Sequence, residues 1–137
     1  MLKVAWMPGS ATAPEGAPVL VSATLFRADR RGDLPSIYLA GWRLRGGWPR
    51  LAGAVGVWLW TQPLADDAGS VSVWHSPAAL RAFVALPEHV RIMRRYRDRG
   101  HIWSTTWTVP WTSARHVWSQ AERWLADAGQ RAATRSR

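Results

Sequence analysis

Residues 69–99 read GSVSVWHSPAALRAFVALPEHVRIMRRYRDR. In 70–75 the side chains alternate, with Val71, Val73 and His75 on one side and Ser70, Ser72 and Trp74 on the other, as the two-residue period of a strand requires. Ser76 is a natural N-cap and Pro77 fits the first helical position, where the missing amide hydrogen costs nothing. Leu80, Phe83 and Val84 form the buried stripe of the helix that follows. Pro87 breaks that helix, because proline lacks the donor and clashes with the preceding turn. A second segment restarts with Glu88 near its positive end and runs to Arg99, before Gly100. His89, Ile92, Met93 and Tyr96 share one face of it; Arg91, Arg94, Arg95 and Arg99 fall largely on others, the pattern of a solvated outer face.

Toward the C-terminus, 101–111 (HIWSTTWTVPW) alternates again, placing Trp103, Thr105, Trp107 and Val109 on one face of a strand that Pro110 ends. Thr112 or Ser113 caps a last amphipathic helix with Val117, Ala121, Trp124 and Leu125 inward and Gly129 as its stop. Residues 130–137 are read as a basic tail. Toward the N-terminus, 62–69 is a polar hairpin connection. It is preceded by 54–61 (AVGVWLWT), where Val55, Val57 and Leu59 share one face and Gly56, Trp58 and Trp60 the other. Two indoles beside a glycine leave room for a bulky neighbour or a ligand. A helix from Pro35, with Leu34, Ile37, Tyr38, Trp42 and Leu44 at helical spacing, ends at Gly46, Gly47 and Pro49. Strand 19–27 (VLVSATLFR) sets Leu20, Ser22, Thr24 and Phe26 against Val19, Val21, Ala23 and Leu25. Residues 1–18 read as a flexible arm, with 4–7 able to pair at a sheet edge, because 10–18 is mostly Ala, Gly, Pro and Ser.

The order is strand, helix, strand, strand, helix, strand, helix: an α+β protein with a four-stranded antiparallel sheet in one domain over 19–129. A chain of 137 residues supports one core. The formal charge of +9 comes from 17 Arg and one Lys against nine acids. The basic residues are spread along the chain, which disfavours nucleic acid as a partner. With no cysteine, disulfides and thiolate metal sites are excluded. No stretch reaches the roughly 18 apolar residues of a membrane span, and the first residues lack the apolar run of a secretory signal. The expectation is a cytoplasmic protein with no membrane association. Eleven tryptophans against two Phe and two Tyr must line something.

A strand ending in an aromatic, a Ser-started helix (SVSVWHSPAALRAF), a small-residue break with a His (LPEH) and a basic helix together resemble the antibiotic-biosynthesis-monooxygenase-like, dimeric α+β-barrel superfamily. The resemblance spans 19–110, with AGAVGVWLWTQPLADDAGSVSVWHS as the middle hairpin and WTVP as the end of the last strand, and it is strongest over 72–89. It implies a ferredoxin-like sheet with helices on one face, an extra C-terminal helix in this chain, and a homodimer in which one sheet face meets the sheet of a second subunit. It also implies a hydrophobic pocket between the other face and the helices. Activities of such proteins include cofactor-independent oxygenation of polyketide quinols, haem degradation, cyclisation and isomerisation.

The chemistry-bearing residues narrow the choice. His75 and His89 lie in the resembling core, and an imidazole titrating near neutrality suits a general base. No His/Asp/Glu cluster has metal-ligand spacing, so no metal is expected. No phosphate loop, dinucleotide fingerprint or nucleophile elbow is present, which disfavours nucleotide and flavin cofactors. The reading is a monooxygenase-like enzyme of secondary metabolism acting on a hydrophobic, aromatic substrate without a bound cofactor. His89 or His75 is its base, Tyr38 or Tyr96 a polar donor, and Trp58, Trp74 and Trp107 its pocket walls. Haem with His89 as axial ligand is an alternative, weakened because haem-degrading relatives carry Trp where this chain has Phe83 and place their ligand farther along. A non-catalytic dimeric ligand-binding protein is another.

Overall fold

The computed structural model describes residues 1–135. The chain runs β1 (Leu2–Lys3), β2 (Met7–Pro8), β3 (Pro18–Ala28), α1 (Leu34–Gly46), β4 (Ala54–Gln62), β5 (Asp67–Trp74), α2 (Pro77–Val84), α3 (Pro87–Tyr96), β6 (Gly100–Pro110) and α4 (Ala114–Arg135). The four long strands are antiparallel in the order β4-β5-β3-β6, the ferredoxin-like arrangement, and β1 and β2 both pair with the outer side of β4. Register is unambiguous because one face of each strand is apolar: Val21 lies opposite Val73 on one side and Trp107 on the other.

Local rules shape the helices as read. Ser76 accepts the Ala79 amide hydrogen at its side-chain oxygen (3.2 Å), and Pro87 separates α2 from α3. α3 closes at Tyr96, three residues short of the expected Arg99. Ser113, rather than Thr112, caps α4, accepting the His116 amide at 3.1 Å. Gly129 does not stop this helix. It continues to Arg135 because its buried stripe, Val117, Ala121, Leu125 and Ala128, extends to Ala132. Residues 130–135 of the expected tail are therefore helical, and 136–137 lie outside the described residues. The hairpin connection is also shorter than 62–69, because Asp67 joins β5. Its carboxylate is buried and takes two hydrogen bonds from the Arg27 guanidinium, at 2.7 and 2.8 Å. Those bonds hold Arg27 above its ordinary pKa against the opposing effect of burial.

The sheet is covered on both faces. α1, α2 and α3 pack on the side of Leu20, Thr24 and Val57. α4 packs on the side of Val19, Val21, Ala23, Val71 and Val73. The face that the resemblance assigns to a second subunit's sheet is thus occupied by the chain's own last helix. A register shift between Ala54 and Gly56 turns Val55 into the α4-side core, away from Val57 and Leu59 with which simple alternation grouped it.

The arm is tied down more firmly than its composition suggests. Amides of Val4, Gly9 and Ala11 donate to Leu59, Val55 and Ala54 carbonyls, each at 2.9 Å. Trp6 supplies the bulky neighbour that Gly56 leaves room for: its indole lies 4.3 Å from Trp58, and Lys3 sits 4.5 Å above Trp118. A Cβ on Gly56 would come within 1.9 Å of the Trp6 ring. Gly56→Ala is therefore expected to release the arm, raising hydrogen exchange at the Val4 and Gly9 amides roughly tenfold, equivalent to about 1.4 kcal/mol. Unchanged protection would mean the indole simply shifts.

Candidate functional site

Between the helix-facing side of the sheet and helices α1 and α3 lies a cavity of about 240 Å³. Its floor combines Phe26, Val57 and Leu59 with the hydroxyl residues Thr24, Ser70 and Ser72; its roof is Ile37, Tyr38, His89, Ile92 and Tyr96. Strand parity explains the floor. Positions 24 and 26 of β3 and 70 and 72 of β5 point the same way, so the small polar residues of otherwise Val-rich strands gather in one place. Thr24 Oγ1 lies 3.2 Å from Ser70 Oγ and accepts the Ser70 amide hydrogen at 3.2 Å.

His89 enters from the first turn of α3, where Pro87 has restarted the helix. Its Nδ1 lies 3.2 Å from the Val84 carbonyl oxygen, which can only accept. The hydrogen therefore sits on Nδ1, and Nε2 keeps the free lone pair of the neutral ring. The ring packs 4.8 Å from Phe83. Burial lowers the pKa of His89 below its ordinary 6.5, and the bond to Val84 only partly offsets this. At neutral pH the group is an uncharged base in an apolar wall.

The two tyrosines differ. Tyr96 is buried, its hydroxyl donates to Ser36 Oγ at 2.8 Å, and Ser36 in turn donates to the Asp33 carbonyl at 3.0 Å. Its proton is already used, so as a ligand contact it offers a lone pair. Tyr38 is half-buried and its hydroxyl has no hydrogen bond among the described residues, leaving it free to donate.

Four of the expected site residues lie elsewhere. His75 is exposed at the end of β5, beyond the cavity. Trp58 and Trp107 lie on the opposite sheet face: Trp58 packs between Trp6 and Trp118, and Trp107 donates from Nε1 to Gln120 Oε1 at 3.0 Å. Trp74 is on the cavity side but behind the lining, fully buried against Trp48 and Phe83, with Nε1 donating to Ser72 Oγ at 2.8 Å. The walls that the tryptophan count suggested are instead Trp48, Phe83, Leu44 and Leu59. Trp48 was legible only as the residue after a double glycine, and nothing in its spacing pointed to the cavity.

The cavity does not fit haem. A dry apolar cavity of about 150 Å³ holds a single benzene ring, so 240 Å³ takes a compact ring system of about two rings and not a tetrapyrrole. No cluster of three or more His, Cys, Asp or Glu among the described residues could hold a metal ion.

The fold and cavity define a ferredoxin-like α+β protein with a ligand-sized space between sheet and helices. No family model and no curated protein matches the sequence. Solved structures do. SnoaB from Streptomyces nogalater, described as a cofactor-independent oxygenase, is 16% identical with a TM-score of 0.56, covering 72% of this chain and 99% of its own. Rv0793 from Mycobacterium tuberculosis is 14% identical with a TM-score of 0.59 over 71% and 98%. A dimeric ferredoxin-like protein from Jannaschia is 19% identical with a TM-score of 0.57 over 66% and 99%. The ferredoxin-like fold that the sequence resemblance implied is thus shared with these proteins. At these identities the likeness carries the fold and leaves the activity to be argued from the site.

Proposed function

We propose that the protein is a small oxygenase that works without a bound cofactor on a compact, hydrophobic, hydroxylated aromatic metabolite. The observation that carries this reading is His89: a neutral imidazole with its Nδ1 hydrogen committed to Val84 and its Nε2 lone pair free, set in the wall of an apolar cavity. Such a base removes the proton of a phenol or hydroquinone, and the electron-rich ring then reacts with oxygen itself. A carbon–oxygen bond forms to one atom of O2. The other atom leaves as water, and the hydroxylated ring gives up the two electrons and two protons this water needs, so a phenol ends as the quinone and a hydroquinone as the hydroxyquinone, with no electrons from the protein. The apolar walls keep water from the reacting ring, and Tyr38 can donate a hydrogen bond to a substrate oxygen. The description of SnoaB as a cofactor-independent oxygenase supports this reading.

The test is oxygen uptake by purified protein with hydroquinones of one to three rings, scored with chelator present. Uptake that equals hydroxyquinone formed, without hydrogen peroxide, is the expected result. No uptake with any of them would remove the oxygenase reading and favour a ligand-binding role for the cavity. His75→Ala is expected to leave turnover unchanged within twofold, because that ring is exposed outside the cavity.

We further propose that the protein acts in the cytoplasm, in secondary metabolism, as a homodimer; the dimeric Jannaschia protein supports the last. Since α4 holds the second face of the sheet, the two copies would meet on another surface. Light scattering of the full chain is expected to give about twice its 15.3 kDa. A value equal to one chain would withdraw the dimer.

A further inference from the structure

The sheet has two outer edges, and the chain treats them differently. β1 and β2 pair along β4 and cover its free side. β6 forms the other edge, paired with β3 alone from Gly100 to Pro110 without a bulge. Among the described residues no backbone group of 101–109 hydrogen-bonds anything but β3. The outward amides and carbonyls of β6 are therefore a row of open pairing positions.

Edges of natural sheets are usually blunted by charge, by an internal proline or by a bulge. None of these stands in 101–109 (HIWSTTWTV), which holds no Lys, Arg, Asp or Glu in a chain of net charge +9. Two copies of so basic a chain repel over much of their surface, and along this strip they can approach without that cost. The side chains fix a register. Two strands related by a twofold axis run antiparallel, so each residue meets the one that mirrors it about the axis. With the axis at Thr105, Trp103 meets Trp107, Ser104 meets Thr106, and Thr105 meets itself. Aromatic pairs and hydroxyl pairs are favourable cross-strand neighbours. Trp103, Thr105 and Trp107 are half-buried on the α4 side, and Ser104 and Thr106 are exposed on the other.

We infer that β6 pairs with β6 of a second copy, joining the two sheets into one about a twofold axis at Thr105. The inference rests on the homodimer proposed above and names its interface, which lies at the edge of the sheet because α4 holds the face.

The chain has no cysteine, so an introduced thiol can be bridged only by its own copy. The test is oxidation of Thr105→Cys in the full chain, read on a non-reducing gel beside light scattering of the parent. Directly opposed residues of paired strands have Cα atoms about 4.5–5.5 Å apart, a span that a disulfide bridges. A species of twice 15.3 kDa is expected. His101→Cys should stay single, because in this register His101 faces Val109 and its two copies stand roughly 27 Å apart. Thr105→Lys sets like charges face to face and should raise the dimer dissociation constant by roughly tenfold or more, as should Thr105→Glu, while an equal mixture of the two restores the dimer. That recovery also shows that both variants fold. No bridge at Thr105, a bridge at His101 formed as fast, or a mixture no more dimeric than its parts would overturn the inference. Any of these with a dimeric parent keeps the homodimer and rejects this edge. A parent of single-chain mass rejects both and leaves the edge to another protein's strand. The readout needs no substrate, so it stands apart from the oxygen assay.

Discussion

Replacing His89 with alanine is expected to lower turnover by about 10² to 10⁴-fold, the usual contribution of a positioned general base. KM should move only a few-fold, since the apolar walls that hold the ring remain. The imidazole is held for this task from two sides: the Val84 carbonyl fixes its tautomer and Phe83 packs against its ring. Added imidazole should restore part of the lost rate, because the vacated volume opens on the same cavity. The pH profile provides the sharper check. Burial disfavours the charged form, so the folded pKa lies below 6.5. The neutral base then persists through pH 6.5, and the rate falls only as pH drops through the lower folded value. The same sign governs stability: the unfolded chain binds the proton more readily, so the contribution is present above 6.5 and is lost as pH falls through the folded value. Full activity in His89→Ala, or an acid limb above 6.5, would reject this role.

Trp74→Ala is expected to destabilise the fold by about 3–5 kcal/mol, the range for truncating a large buried aromatic. Trp74 is fully buried, packs 5.3 Å from Trp48 and 5.2 Å from Phe83, and gives its Nε1 hydrogen to Ser72. Truncation opens a cavity behind the ligand site and leaves the buried Ser72 hydroxyl without that donor. The melting temperature should fall on the order of 10 °C. If the indole were a substrate wall, the loss would appear in KM with stability preserved; thermal melting beside steady-state kinetics separates the two.

Much of the fold was legible because it depends on short-range rules. Alternation in 19–27, 70–75 and 101–110 assigns strands without knowledge of their neighbours. Ser76, Pro77 and Pro87 place the start of α2 and the break before α3 through the proline ring and one capping hydroxyl. Where the reading slipped, a distant contact overrode local preference. Gly129 looks like a stop, yet the sheet keeps the α4 stripe buried through Ala132. The arm looks too poor in apolar residues to order, yet a single indole, Trp6, finds the gap above Gly56.

The site divides along the same line. The face of α3 carrying His89, Ile92 and Tyr96 could be counted from helical spacing, and these residues meet at one cavity. The tryptophans could be sorted into same-face pairs, but parity says only that two residues share a face and not which layer covers it. Sequence by itself determined the order of the main elements, the break at Pro87 that restarts the helix just before His89, and the charged outer side of α3, because each follows from backbone geometry over a few residues. Only the tertiary structure decided that α4 takes the face bearing Trp58 and Trp107, and that Tyr38 and Tyr96 roof the space above Thr24 and Ser70. Those outcomes depend on which apolar surface each helix finds to bury, a choice made between segments far apart in the chain.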